Sequence, residues 1–205
     1  MLELTRNPWL WLKLFVFGGI GGALCDQLHV QGQVLSYPDP VLFGQSWWVA
    51  PNFGLAACVM YLATSLWASW AERKEPLAVT RADVTRQTLW FLAAYFASAG
   101  MHVKAHWLAV LYGVVLLRRL IRRRDALPQL VNAVGLAVGG TVVELVMSSA
   151  GWFSYAQPSL GSVPLWLPGL YLHGAPLAMA VVRMARQRAA LPLTESRVDQ
   201  QLDRR

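Results

Sequence analysis

Six apolar stretches alternate with short polar segments between residues 10 and 182. They predict membrane helices over Leu10–Val30, Trp47–Trp70, Thr88–His102, Ala105–Leu120, Pro128–Ser148 and Pro164–Val182. An apolar helix of about 20 residues reaches across a hydrocarbon core of about 30 Å. The third and fourth stretches are shorter than this and meet near Lys104. The fold class predicted is all-α: a polytopic membrane protein of six transmembrane helices over residues 1–187, with a polar, disordered tail over 188–205. Gly18 and Gly22 form a GxxxG in the first stretch, as do Gly135 and Gly139 in the fifth. Small residues at that spacing let helix backbones approach closely in lipid.

Composition agrees. Of 205 residues, 56% are hydrophobic and only 14% charged, whereas a soluble domain carries roughly a quarter. Six spans leave only short loops and no soluble domain. A net charge of +7 would point to nucleic acid in a soluble protein, but the placement of the cations gives another reason. Arg6 precedes the first stretch. Arg73, Lys74, Arg81 and Arg86 follow the second, Arg118, Arg119, Arg122, Arg123 and Arg124 follow the fourth, and Arg183, Arg186 and Arg188 open the tail. Residues 31–46 and 149–163 hold no Lys or Arg. This positive-inside pattern predicts that both termini are cytoplasmic, with Lys13 inside a span and Lys104 outside. Nucleic acid is not an expected partner. Gly22-Ala23-Leu24-Cys25 imitates a lipoprotein signal, but Leu24 is too large to precede a processed cysteine. Cys25 and Cys58 both sit in apolar segments and read as free thiols.

Candidate chemistry lies where charge enters the membrane. A carboxylate within a span costs about 3 kcal/mol or more, so Asp26 and Glu144 need a reason. The topology brings them to one level with Gln27, His29, His102 and His106, where they could meet a lipid headgroup or hydrogen-bond helices together. His102 and His106 share metal-ligand spacing for one helical face, but Lys104 and a predicted turn separate them. HExxH, GxSxG and Gly-rich phosphate motifs are absent, so no cofactor or metal is expected. His173 reads as a packing residue. The Arg118–Arg124 stretch reads first as a topology determinant, then as a site for anionic headgroups. The rival to a binding protein is a small enzyme acting on a lipid through Asp26, Glu144 and the outer histidines. A transporter is disfavoured because no half-repeat or paired broken helices are evident.

Three stretches go further: Trp47-Trp48-Val49-Ala50-Pro51-Asn52-Phe53-Gly54, Phe96-Ala97-Ser98-Ala99, and Gly151-Trp152-Phe153-Ser154-Tyr155-Ala156-Gln157-Pro158 with Trp166-Leu167-Pro168. In order and spacing they resemble the Insig (insulin-induced gene product) family over residues 15 to 187. That family has a WWVPP-type lead-in to its second helix, an H-A-S-A-K stretch in its third, and an NGVYQYTSPDF loop followed by SWLP. The resemblance implies six helices, cytosolic termini, and a sterol- or lipid-sensing role without catalysis. It places the family's functionally important aspartate on Asp125. The family's oxysterol-linked glutamine falls on Leu108, its paired cysteines on Asn52 and Phe53, and the His and Lys of H-A-S-A-K on Phe96 and Gly100. These departures point to a divergent prokaryotic relative that holds another lipid, sterol-like, diacylglycerol-like or isoprenoid. The expected lipid contacts are Asp26, Phe96, Met101, Leu108, Tyr112 and Glu144, around an apolar pocket between the first five spans. Arg122, Arg123, Arg124 and Asp125 are expected to meet a partner or the inner leaflet. Self-association into a closed ring is expected. The membrane would be the plasma membrane of a bacterium, or the endoplasmic reticulum of a eukaryote.

Overall fold

The computed structural model describes residues 7–71, 77–121 and 123–202, with side chains described as far as residue 189. Among the described residues there are six α-helices: α1 Pro8–Gln31, α2 Val49–Ala71, α3 Arg81–Met101, α4 Ala105–Leu120, α5 Ala126–Ser149 and α6 Leu167–Leu202. Helix α1 starts where Asn7 accepts hydrogen bonds from the backbone N–H groups of Trp9 and Leu10, with Pro8 in the first turn. Helix α3 starts well before the expected Thr88. Thr80 and Asp83 form a reciprocal capping box, which satisfies the orphan N–H groups of the first turn. A 3-10 turn at His102–Lys104 then reverses the chain into α4, which begins and ends as predicted. The reversal is a true hairpin, because Arg119 near the end of α4 donates to the Gln87 side chain in α3. Helix α6 has Pro168 in its first turn, where a missing N–H costs nothing, and continues to Leu202. The side chains of most of the expected polar tail, beyond Ala189, lie outside the described residues.

The surface of the bundle is apolar and its interior carries the polar groups. Trp9, Phe17 and Leu24 on α1, and Val138 and Val146 on α5, are exposed, while Asp26, His29, Thr64, Gln87, Ser98 and Asn132 are buried. Water would favour the reverse arrangement, whereas hydrocarbon favours this one. Pro8–Gln31, Val49–Ala71, the Arg81–Leu120 hairpin and Ala126–Ser149 are long and apolar enough to cross a bilayer. Helix α1, with 24 residues, is about 36 Å long. The protein is an integral membrane protein.

Helices α1 and α2 form the most extensive pair. A Cβ at Gly18 would lie 2.3 Å from Ala57 Cβ, and one at Gly19 would lie 2.8 Å from the Ala50 carbonyl oxygen. The first GxxxG is therefore a packing surface. The second is not buried in the protomer, because Gly135 and Gly139 have nothing within 4 Å of an added Cβ.

At one end of the bundle the loops after α1 and α5 are joined by a two-stranded antiparallel ribbon, β1 Leu35–Ser36 with β2 Ser154–Tyr155. These are the two cation-free loops of the sequence, and they do share an end. The arginines of the α4–α5 connection and of α6 gather at the other.

Candidate functional site: polar networks at the two ends of the bundle

The ribbon end is built twice. Tyr37 donates its hydroxyl to Asp26 at 2.8 Å, across 11 residues, and Tyr155 donates to Glu144, also across 11 residues. The offset of 118 residues that relates Ser36 to Ser154 also relates Asp26 to Glu144, Tyr37 to Tyr155, Pro40 to Pro158, Leu42 to Leu160 and Trp48 to Trp166. It extends into packing. A Cβ at Gly22 would strike Phe53, and one at Gly140 would strike Tyr171, the equivalent pair. The units α1–loop–α2 and α5–loop–α6 are thus two versions of one helix–loop–helix, with α3 and α4 between them. This corrects the expectation that no half-repeat exists. The signal was legible as two Ser-Tyr-x-x-Pro stretches, each followed by Gly and Trp. Both loops also turn on a glycine of positive φ, Gly44 at +88° and Gly161 at +62°, a conformation that glycine adopts without a Cβ clash.

Each carboxylate is already engaged. Asp26 is buried and accepts from Tyr37 and from the Gln45 amide at 2.8 Å, which also donates to the Ala23 carbonyl at 2.9 Å. Glu144 accepts from Tyr155 through one oxygen and from Tyr171 through the other, the latter at 2.7 Å. Phe53 stands where Tyr171 stands in the second unit, so Asp26 lacks that phenol and takes the Gln45 amide instead. Nearby, His29 Nε2 lies 2.7 Å from Ser98 Oγ. The single Ser98 hydroxyl proton also has the backbone carbonyls of Ala94, at 3.1 Å, and Tyr95, at 3.0 Å, within reach as acceptors. His102 points its Nδ1 at the Ala99 carbonyl, and His106 is exposed beyond the 3-10 turn. The two do not share a helical face.

The other expected lipid contacts scatter. Leu108 is fully buried, and Tyr112 is buried and donates to the Ala94 carbonyl at 2.5 Å. Phe96 is 62% exposed on the outside of α3, and Met101 is 37% exposed at its end. These four side chains do not converge on one surface. The fault lies in the helical phase: Phe96 is one residue past Tyr95, which turns inward.

The basic end holds Asp125. It accepts from Arg123 Nε at 2.9 Å and Nη2 at 3.2 Å, from Gln129 at 2.6 Å and from Arg183 of α6 at 2.7 Å. Burial alone would raise its pKa, but the donors Arg123, Gln129 and Arg183 outweigh burial and hold the carboxyl well below the ordinary range. Asp125 bridges the α4–α5 connection to α6; it makes no side-chain cap on α5. Gln129 and Arg183 were not singled out by sequence reasoning. Arg183 sits in what reads as a tail of topology cations. Arg124 is exposed, and Arg122 lies outside the described residues. Deeper in, Arg119 donates to His173 Nδ1 at 2.7 Å and stacks on Trp90, 5.2 Å from the ring centroid. His173 Nε2 in turn faces the Tyr112 carbonyl at 3.2 Å. His173 is therefore a buried link between helices, more than packing.

A third polar feature lies between the ends. Thr64 and Ser65 on α2 and Asn132 and Thr141 on α5 are buried, and each has a side-chain atom without a hydrogen-bond partner among the described residues, as has Tyr61. The two helices are tied at this level by Trp67 Nε1 donating to the Pro128 carbonyl at 2.8 Å.

No family model matches the chain. In sequence it is 26% identical over 168 residues to insulin-induced gene 1 protein of Gallus gallus, covering 78% of this chain and 66% of that protein. It is equally 26% identical over 170 residues to the protein of the same name from Rattus norvegicus, covering 80% and 64%. The chain thus spans just under two thirds of the length of these relatives. In structure it matches a mycobacterial Insig homologue from Mycobacterium vanbaalenii with a TM-score of 0.69 at 20% identity, covering 89% of this chain and 96% of that one. A cross-linked trimer of the same homologue matches with a TM-score of 0.68. The chain is Insig-like in sequence and has the fold of that bacterial homologue.

Proposed function

We propose that this protein is a divergent prokaryotic Insig-type regulator: an integral membrane protein that binds a lipid within its bundle and performs no catalysis on it. The observation that carries the reading is the agreement of two independent likenesses, of sequence to insulin-induced gene 1 proteins and of fold to the mycobacterial homologue. All six helices span, both termini lie with the basic end in the cytoplasm, and the membrane is the bacterial plasma membrane. Asp26 and Glu144 belong to the binding region as fixed acceptors that hold the outer end of the bundle closed. A general acid or base needs a free path to a substrate atom, and both Glu144 oxygens carry phenol donors. The lipid's polar group pairs with the buried side chains of Thr64, Ser65 and Asn132, which otherwise bear the cost of burial unpaired. Its chain lies among the apolar residues toward Leu108 and Tyr112, and Phe96 and Met101 face the surrounding bilayer lipid. Arg122, Arg123, Arg124 and Asp125 form the inner-leaflet or partner face. Copies assemble into a closed ring through the open Gly135–Gly139 face of α5, in keeping with the trimer of the homologue.

Native mass spectrometry of protein taken from membranes into nanodiscs tests this. The proposal expects one intact lipid per protomer, retained through mild activation and lost in Asn132→Val. Lipid-free protomers, or a lipid returned chemically altered, would overturn it.

A further inference from the structure

At the basic end, a cavity of about 250 Å³ opens between the start of α3, the α4–α5 connection and α6. Arg86, Arg123, Arg124 and Arg183 line it, opposed by Asp83 and Asp125. Both acids are committed. Asp125 is held by Arg123 and Arg183, and Asp83 accepts from Thr80 and pairs with Arg86 at the surface. Four guanidiniums therefore share two carboxylates, and Arg124 has no ion pair among the described residues. The apolar side of the cavity is formed by Val79, Pro176 and Ala180. Its wall is pinned: the Gln187 amide, oriented to satisfy both of its atoms, exchanges two hydrogen bonds of 2.8 Å with the Val79 backbone.

We infer that this cavity is a phosphate-binding site for an amphiphilic phosphoryl compound. Arg124 supplies a charge with no carboxylate partner among the described residues, Arg86 adds one that it shares with Asp83, and Val79, Pro176 and Ala180 accommodate an apolar neighbour of the phosphate. Arginine forks suit phosphate oxygens, and Asp125 serves to orient Arg123 and Arg183 rather than to bind. The shared chemistry is a glycerol phosphate group, either the headgroup of an anionic phospholipid or a soluble phosphoryl compound. The inference is independent of any lipid held at Thr64 and Asn132, since the two sites share no residue.

The test compares the full chain with an Arg86→Gln/Arg124→Gln variant. Both residues lie at the surface, and neither holds Asp125, so the fold should persist. Native mass spectrometry would measure retention of phosphatidylglycerol against phosphatidylcholine, and calorimetry the binding of glycerol 3-phosphate. The expected result is a preference for phosphatidylglycerol that falls about tenfold in the variant, as loss of charge-assisted hydrogen bonds implies. Arg118→Gln, an exposed control on α4, should leave it intact. Arginine-dependent binding of glycerol 3-phosphate without a lipid preference would support the site with a soluble ligand. No arginine-dependent binding of either probe, or an equal loss in Arg118→Gln, would overturn the site.

Discussion

Asp26 and Glu144 occupy equivalent positions in two copies of one helix–loop–helix unit, each held by a tyrosine 11 residues further along the chain. Their loops pair through β1 and β2, so the two copies meet where their polar groups converge. Duplication explains why two costly carboxylates lie at one depth. The first unit takes its second donor from Gln45 and the second from Tyr171.

This relationship makes Glu144→Gln a test of role. Glutamine keeps one acceptor oxygen but presents an amide donor to a phenol, so one tyrosine loses its partner. Stability should fall by about 1–3 kcal/mol, read as a lower melting temperature in detergent, while bound lipid is unchanged. Lost lipid at unchanged stability would assign Glu144 to ligand contact instead.

Asp125→Asn should be more damaging. It leaves Arg183, 4% exposed, without its carboxylate, and breaking a buried pair in this way costs about 3–5 kcal/mol. Because the folded-state pKa of Asp125 is depressed, its contribution is fully present above the unfolded value of about 3.9. It is lost only as pH falls through the folded value. Lowering pH from 7 to 5 should therefore leave this bridge intact, and the stability gap between wild type and Asp125→Asn should stay constant over that window. A gap that closes by pH 5 would show that the bridge is not held as described.

The two GxxxG motifs should behave oppositely. Gly18→Ala forces a Cβ to within 2.3 Å of Ala57 Cβ and should destabilise the α1–α2 pair by about 1–3 kcal/mol. Gly139→Leu enters open space in the protomer and should leave protomer stability unchanged while disrupting assembly. Single-molecule step counting in native-membrane discs reads the second effect, and unchanged stoichiometry would place the interface elsewhere.

Topology can be read with an impermeant thiol reagent in intact cells. Arg81→Cys should resist it and Ser159→Cys should react. Equal labelling of both would contradict the shared-side placement of the arginines.

Helix number and order were legible in the apolar stretches, and the hairpin boundary at Lys104 was legible in its polarity. The start of α3 was not, because a Thr80–Asp83 capping box extends the helix through residues too polar to read as a span. Asp26 and Glu144 stood out because charge within a membrane needs a reason, and Asp125 stood out through the resemblance. Several of their partners were missed for a common cause: Tyr37 and Tyr155 are of the residue type that lines a membrane interface, and Arg183 reads as a topology cation. Interface chemistry and buried hydrogen bonding use the same residue types, and only the third dimension separates them. Phe96 and Met101 lie on the outside of α3, because the resemblance supplies positions along the chain without fixing helical phase.

The claim that a lipid sits inside the bundle is tested most directly by photo-crosslinking. A diacylglycerol or sterol analogue with a photoreactive group close to its polar end would be incorporated into nanodiscs with the protein and its adducts mapped by peptide mass spectrometry. The account predicts adducts on α2 around Tyr61–Ser65 and on α5 around Asn132, competed by unlabelled lipid and absent in Asn132→Val. Adducts confined to outward-facing residues such as Phe17, Phe96 and Val138, without competition, would contradict it.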